Sequence, residues 1–346
     1  MECCSLFGAL FHTGSTFRHS IQFKALVLQQ AHTPHSHDPA VAPAEPLAYG
    51  LLLLRAEGME ILIYGTINSI ALALMALGFA LVYGISRVPN FAHGAIYVVA
   101  GFITWTFLKA VGLSYLLSAF IAILITGIIG AAIYRFMLIR VRGMAISEII
   151  ASYAIGLAIL EGLRWGGFKG MTYTLPLFIA GSVTLWGIPV DIHRLLLIGI
   201  GAAVIALLWL FTHYTRIGLA LRGMAQDERA ALMLGIDSDL MALLATAFGS
   251  MLAGLAAIVL LPLGNIVVEA GYNVLILAIA VCIVGGLGSW MGAVLAAFLI
   301  GFLQILTVVY LGSHYQMVVA LLAIIFTLIL RPSGLFGRQK ELEERV

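Results

Sequence analysis

From Met59 onward the chain alternates long apolar runs with short polar connections. Crossing a hydrocarbon core takes about 20 mostly apolar residues per helix. By that measure nine stretches qualify as spans, at 60–84, 91–109, 113–134, 146–163, 193–213, 240–262, 271–288, 293–311 and 316–330. The stretch 271–288 is the weakest, being short and ending in Gly285-Gly286-Leu287-Gly288. A strand barrel would alternate over segments of about 10 residues; these runs are too long and too uniformly apolar. The pattern predicts an all-α polytopic transmembrane helical bundle of about eight to nine spans.

One long polar break interrupts it, Arg216 to Asp239, reading R-I-G-L-A-L-R-G-M-A-Q-D-E-R-A-A-L-M-L-G-I-D-S-D. Asp227 and Glu228 suit the first turn of a short helix, where acidic groups meet the positive dipole end. Ala230, Ala231, Met233 and Leu234 follow as helix formers with an apolar face. Gly235 fits the left-handed position after a helix, and Asp237 or Ser238 then caps the next span. The reading is a short amphipathic helix flanked by breaks, of the kind that docks in a groove of another protein. A helix resting on lipid is the alternative; its acidic start and small apolar face count against it.

The first two spans are joined by G-I-S-R-V-P-N-F-A-H-G, Gly84 to Gly94. Pro89 stops continuation of the first helix, and Asn90 is a good cap for the second. Such a start presents backbone N–H groups and a positive dipole end; His93 and Gly94 lie in its first turn. Gate or pathway element and tight interhelical turn both fit. The run Val284 to Gly292, V-G-G-L-G-S-W-M-G, resembles a phosphate loop only superficially: it lacks Lys and joins two apolar spans, so close helix packing or a broken helix explains it better. Between Trp165 and Arg194 the chain is mixed. Ser182 to Val190 alternates like a strand and Gly187-Ile188-Pro189 suggests a turn. That makes the segment either a docking surface or an interfacial hairpin, with Trp165 and Trp186 at headgroup level.

Composition sharpens this. A 62% hydrophobic and 10% charged chain is no ordinary soluble domain. Lys and Arg concentrate in cytoplasmic loops. If 216–239 is cytoplasmic, then Arg87, Arg135, Arg140, Arg142, Arg216, Arg222, Arg229, Arg331, Arg338, Lys340 and Arg345 fall inside, against Lys109, Arg164, Lys169 and Arg194 outside. That bias predicts a multi-pass membrane protein with its C-terminus cytoplasmic. Of the in-span polar residues, Glu161 precedes Arg164 by three and reads as a helix-surface pair. Cys282, in an apolar span, reads as packing. Residues 1–58 read as an irregular, disordered extension, 59–337 as the transmembrane domain, and 338–346 as a charged cytoplasmic tail. His32, His35 and His37 lack a framework to fix metal geometry, so no metal is expected. A chain beginning at Met59 would keep every span.

No Gly-Lys dipeptide occurs, so no Walker A motif exists and any ATP-driven role needs a separate ATPase. H-E-x-x-H and G-x-S-x-G are absent from the spans, so neither an enzyme nor a catalytic residue is expected. Nothing points to a cofactor or to nucleic acid.

Three stretches, in order, resemble the permease subunits of branched-chain amino acid ABC importers: A-L-G-F-A-L-V-Y-G-I-S-R-V-P-N-F-A-H-G at Ala76 to Gly94, G-L-A-L-R-G-M-A-Q-D-E-R-A-A-L-M-L-G-I at Gly218 to Ile236, and V-G-G-L-G-S-W-M-G-A-V at Val284 to Val294 with R-P-S-G-L-F-G at Arg331 to Gly337. The closer similarity is to the first, shorter permease of such a system. The resemblance implies a second homologous permease, two cytoplasmic ABC ATPase subunits, a periplasmic solute-binding protein and a lipid bilayer as partners. It implies an ATPase-coupling element comprising Gln226, Asp227, Glu228, Ala230, Ala231, Leu234 and Gly235. Where the wider importer class shows E-A-A-x-x-x-G, Ala230, Ala231 and Gly235 are in register, but Arg229 replaces the Glu and Glu228 stands one place earlier. For the pathway or gate the candidates are Pro89, Asn90, His93, Gly94, Gly285, Gly286 and Gly288. Relatives carrying urea, short amides or other amino acids share these motifs. A self-sufficient secondary transporter would need mid-membrane coupling carboxylates, for which the chain offers poor candidates.

Overall fold

The computed structural model describes residues 46–168, 173–179 and 181–337. His32, His35 and His37, Lys169 and the tail 338–346 lie outside the described residues. The helices are α1 Pro46–Ser86, α2 His93–Lys109, α3 Tyr115–Ile133, α4 Ile139–Val141, α5 Ala145–Gly162, α6 Ile192–Tyr214, α7 Arg216–Gln226, α8 Glu228–Met233, α9 Ser238–Leu260, α10 Val268–Gly285, α11 Trp290–Tyr310 and α12 Gln316–Leu330. A π-helical stretch, Tyr134–Leu138, fuses α3 to α4, and a second, Leu163–Phe168, extends α5. The backbone of α1 runs back to Pro46, into the segment read from sequence as irregular.

Among the described residues, eight helical stretches are long and apolar enough to cross a membrane. With α2, which has 17 residues, they match the nine apolar runs one for one. The protein is thus a polytopic helical bundle. α1 is its axis: α11, α9, α10 and α6 pack around it, and from Ile67 to Ile85 it is almost wholly buried. Asn68 and Gln304 pair inside the bundle, as burial demands, whereas the buried side-chain amide of Gln316 makes no hydrogen bond. Asn68 Nδ2 donates to Gln304 Oε1 at 2.9 Å and to Gly301 O at 3.1 Å, while Gln304 Nε2 donates to Gln316 O at 3.1 Å. These bonds tie α1 to α11 and α12. Cys282 is buried against α1.

The connections collect at two ends. At one lie α7, α8, the α4–α5 turn and the segment 331–337. At the other lies a two-stranded hairpin, β1 Ser182–Leu185 and β2 Ile188–Asp191, which docks on α1 through Tyr64 OH donating to Pro189 O at 3.2 Å. Its turn is Trp186-Gly187, one residue earlier than the sequence suggested. Both have positive φ, 51° and 85°, as a two-residue turn that matches strand twist requires. Trp165 and Trp186 are both largely exposed at this end.

The run Gly285 to Gly288 is where the α7–α8 end closes. A Cβ on Gly285 would sit on the Gly292 backbone, and Gly286, at φ 101°, passes directly over Gly337. Leu335 N donates to Val284 O at 2.9 Å and Phe336 N to Gly285 O at 3.0 Å. These glycines let R-P-S-G-L-F-G bond to the end of α10, a packing role. Gly285, Gly286 and Gly288 stand in this closure, outside the two clefts described below.

Candidate gate and coupling element

Between α1 and the second span lies a non-helical segment, residues 87–92. His93, first residue of α2, has Nε2 at 3.1 Å from Met75 O, and Met75 lies eleven residues before the end of α1. At 1.5 Å per residue that places the start of α2 about 16 Å inside the bundle, roughly the middle of a 30 Å hydrocarbon core. Residues 87–92 therefore return from the end of α1 to mid-depth without helix. Pro89 cannot donate a backbone hydrogen bond, so helix continuation fails there. Irregular backbone at this depth survives only when protein or a cavity surrounds it. Both conditions are met.

The break is held by two side chains. Asn90 Oδ1 accepts from Ala92 N at 3.0 Å, and Ser152 of α5 accepts from Phe91 N at 3.2 Å. Asn90 closes the turn ahead of α2 rather than capping the helix itself, whose cap residue is Ala92, two residues on, with no side-chain cap bond. The first free N–H groups of the break are thereby satisfied. On the α7–α8 side, a cleft is lined by Ser86, Pro89, Asn90, Tyr134, Glu148 and Ser152. On the hairpin side, a second is lined by Phe91, Gly94, Tyr153, Gly156, Gly271 and Tyr272. Phe91-Ala92, seated on Gly156 of α5, separates them: a Cβ on Gly156 would come within 3.1 Å of Ala92 Cα. Gly94 meets the Gly271 carbonyl so closely that a Cβ there would overlap it. Pro89 and Asn90 line the first cleft and Gly94 the second, on either side of Phe91-Ala92. His93 lines neither: it is buried against α1 and stands edge-on to Phe79 at 5.8 Å.

Above the second cleft stand charges that sequence reasoning noticed only in part. Arg164 Nη2 donates to Glu269 Oε1 at 3.0 Å, and its Nε lies 3.6 Å from Glu161 Oε2. The Glu161–Arg164 pair was legible from spacing; Glu269, at the start of α10, was not. Glu161 is five residues beyond Gly156 on α5, about 7 Å further along by helical rise. All three are about half exposed.

The polar break 216–239 folds as two helices rather than one. Thr215 Oγ1 accepts from Gly218 N at 3.0 Å and starts α7, which sequence reasoning missed although Ile217, Leu221 and Met224 recur at helical spacing. Asp227 caps α8 by accepting from Ala230 N at 3.0 Å. Gly235, at φ 80°, ends it, and Asp237 caps α9 by accepting from Asp239 N and Leu240 N. Gln226, Asp227, Ala230, Met233, Leu234 and Gly235 face outward. Met233 is 89% and Leu234 81% exposed. Ala231 is 3% exposed, packed with Leu221, Met224 and Met241 inside the chain. Its reading as the residue at a partner's groove is corrected: a six-residue helix must turn one face to its own core, and Ala231 is on that face. Glu228 is also turned inward, to Arg142 at 3.2 Å.

Comparison with known proteins places this architecture. The family model described as "Branched-chain amino acid transport system / permease component" matches residues 61–328. The high-affinity branched-chain amino acid transport system permease protein BraD of Pseudomonas aeruginosa is 30% identical over 280 residues, covering 77% of this chain and 91% of the relative. The probable branched-chain amino acid transport permease protein LivH of Methanocaldococcus jannaschii is 30% identical over 309 residues, covering 83% and 95%. Further out, the autoinducer 2 import system permease protein LsrD of Klebsiella pneumoniae is 27% identical over 289 residues, covering 77% and 81%. The matched region takes in the break before α2, the α7–α8 pair and the run Gly285 to Gly288, and the chain belongs to the branched-chain amino acid transport permease family.

Proposed function

We propose that this chain is one of two homologous permeases of an ATP-driven importer in the inner membrane, passing branched-chain amino acids handed over by a periplasmic binding protein. The observation that carries the reading is the pair α7–α8: a water-facing element with an apolar edge, on a chain that has no nucleotide motif of its own. Energy then enters by contact, with Gln226, Ala230, Met233 and Leu234 as the surface that meets the ATPase. The Lys and Arg bias supports a cytoplasmic α7–α8 end and a periplasmic hairpin end.

The break before α2 supplies the gate. Discontinuous helices near mid-membrane are a recurrent way to build a transport site. Glu161, Arg164 and Glu269 support the same placement. Half-exposed charges at or within membrane depth are costly against lipid and ordinarily face a water-filled cavity or protein. The face of α5 and α10 that carries them therefore turns toward the second permease, with the path between the two subunits. Nucleotide-driven movement of α7–α8 would shift the bundle between two states, opening one cleft as the other closes at Phe91-Ala92.

Uptake into vesicles carrying the assembled importer tests the substrate. Labelled leucine is expected to enter, with unlabelled isoleucine and valine competing and urea and acetamide not. Competition by urea or acetamide without competition by valine would move the protein to the amide-carrying branch. Competition by none of them would leave substrates such as the autoinducer of the LsrD relatives.

A further inference from the structure

We propose that Arg142 is a positioning residue for transport: it is the clamp that transmits movement of α8 to the gate. The proposal rests on the reading of α7–α8 as the ATPase-facing element. Arg142 occupies the turn between α4 and α5, and its guanidinium forks between two elements. Nη2 donates to Glu228 Oε1 of α8 at 3.2 Å, and Nη1 pairs with Asp239 Oδ1 in the first turn of α9. Tyr134 OH, from the π-helical stretch after α3, donates to the same Asp239 oxygen at 3.4 Å. Glu148, in the first turn of α5, lies within electrostatic reach. The Arg142 side chain is only 21% exposed although it sits in a turn.

This arrangement has a direction. Glu228 is the first residue of α8, so displacement of α8 pulls on Arg142 through a charge-assisted bond. Arg142 is three residues from the start of α5, a rigid helix. On that helix, one turn beyond the cleft-lining Glu148, Ser152 holds Phe91 N, and one turn further Gly156 seats Ala92. The route from coupling helix to constriction is therefore one ion pair, two turns of helix and one hydrogen bond. Among the described residues, α8 also packs on α7 and meets the bundle through the apolar contacts of Ala231. Those resist separation, but they have no directional hold on α5. A planar fork that pairs with two carboxylates at once is specific to Arg; Lys offers only a point charge.

The test uses the whole importer in proteoliposomes, with ATP hydrolysis and leucine uptake measured in one preparation and ATPase recovery measured by pull-down. Arg142→Gln is expected to keep ATPase recovery and hydrolysis within about twofold while uptake per ATP falls about tenfold, inside the usual range of coupling energies. Arg142→Lys is expected to regain part of that ratio. Glu228→Gln, which conserves shape at a partly exposed position, is expected to fall in the same direction as Arg142→Gln and serves if the latter fails to accumulate. An unchanged uptake per ATP in Glu228→Gln and either Arg142 variant overturns the clamp. So does a loss of ATPase recovery in step with uptake, which would make Arg142 a docking or folding residue. Failure of the wild-type chain to recover an ATPase would instead sink the reading of α7–α8 and is seen before any variant is made.

Discussion

Met233→Arg is expected to insert and fold normally yet recover about thirtyfold less ATPase, the effect of losing a well-packed anchor worth at least about 2 kcal/mol. Met233 makes almost no internal contact, being 89% exposed, so the substitution disturbs little of this chain. Together with Leu234 it forms an apolar edge in a segment otherwise rich in charge. Flexible, polarizable methionine suits a surface that must stay engaged while it moves. Uptake should fall with the affinity. Ala231→Arg makes the contrast: there the charge would enter the core beneath α8, and the expected result is loss of the folded α7–α8 pair. Full ATPase recovery and normal uptake in Met233→Arg would show that this edge is not the docking surface.

Gly94→Ala is expected to lower the thermal midpoint of the detergent-solubilised protein by several degrees and to abolish most uptake. The added Cβ would overlap the Gly271 carbonyl, which is backbone and cannot rotate away, and would come within 3.1 Å of Leu275 Cβ. Overpacking of this kind costs about 1–3 kcal/mol, and here the strain falls on the helix that begins at the gate. Gly199→Ala in α6 is the control, since an added Cβ meets nothing within 4 Å. It should be neutral or slightly stabilising, as alanine is the better helix former. A Gly94→Ala protein with unchanged stability and uptake would mean that α2 and α10 do not meet at this point.

Much of this architecture was written in the apolar pattern. The nine runs became nine helices because a membrane core leaves the backbone no other hydrogen-bonding solution. Gly235 and Asp237 took the roles their chemistry favours, since helix ends are decided locally. What the pattern did not reveal depends on distant residues. Hydropathy puts the second span at 91–109 and Gly84 to Gly94 in the connection before it, so Pro89 marks a break without giving its depth. Only the contact of His93 with Met75 sets that depth. The direction of Ala231 depends on how α8 settles against Leu221 and Met241. Arg142 entered the sequence argument only as one positive charge among eleven; its partners are 86 and 97 residues away. Glu269 escaped notice for the same reason, its partner Arg164 being 105 residues distant.

The central claim is that this permease moves its solute only when a separate ATPase acts on it. Proteoliposomes holding the purified importer, supplied with binding protein and labelled leucine, test it directly. Uptake is predicted to require internal ATP, to stop when a non-hydrolysable analogue replaces it, and to persist when ionophores collapse proton and sodium gradients. Uptake by this chain without an ATPase subunit, driven by an imposed ion gradient and lost on adding ionophore, would contradict the account.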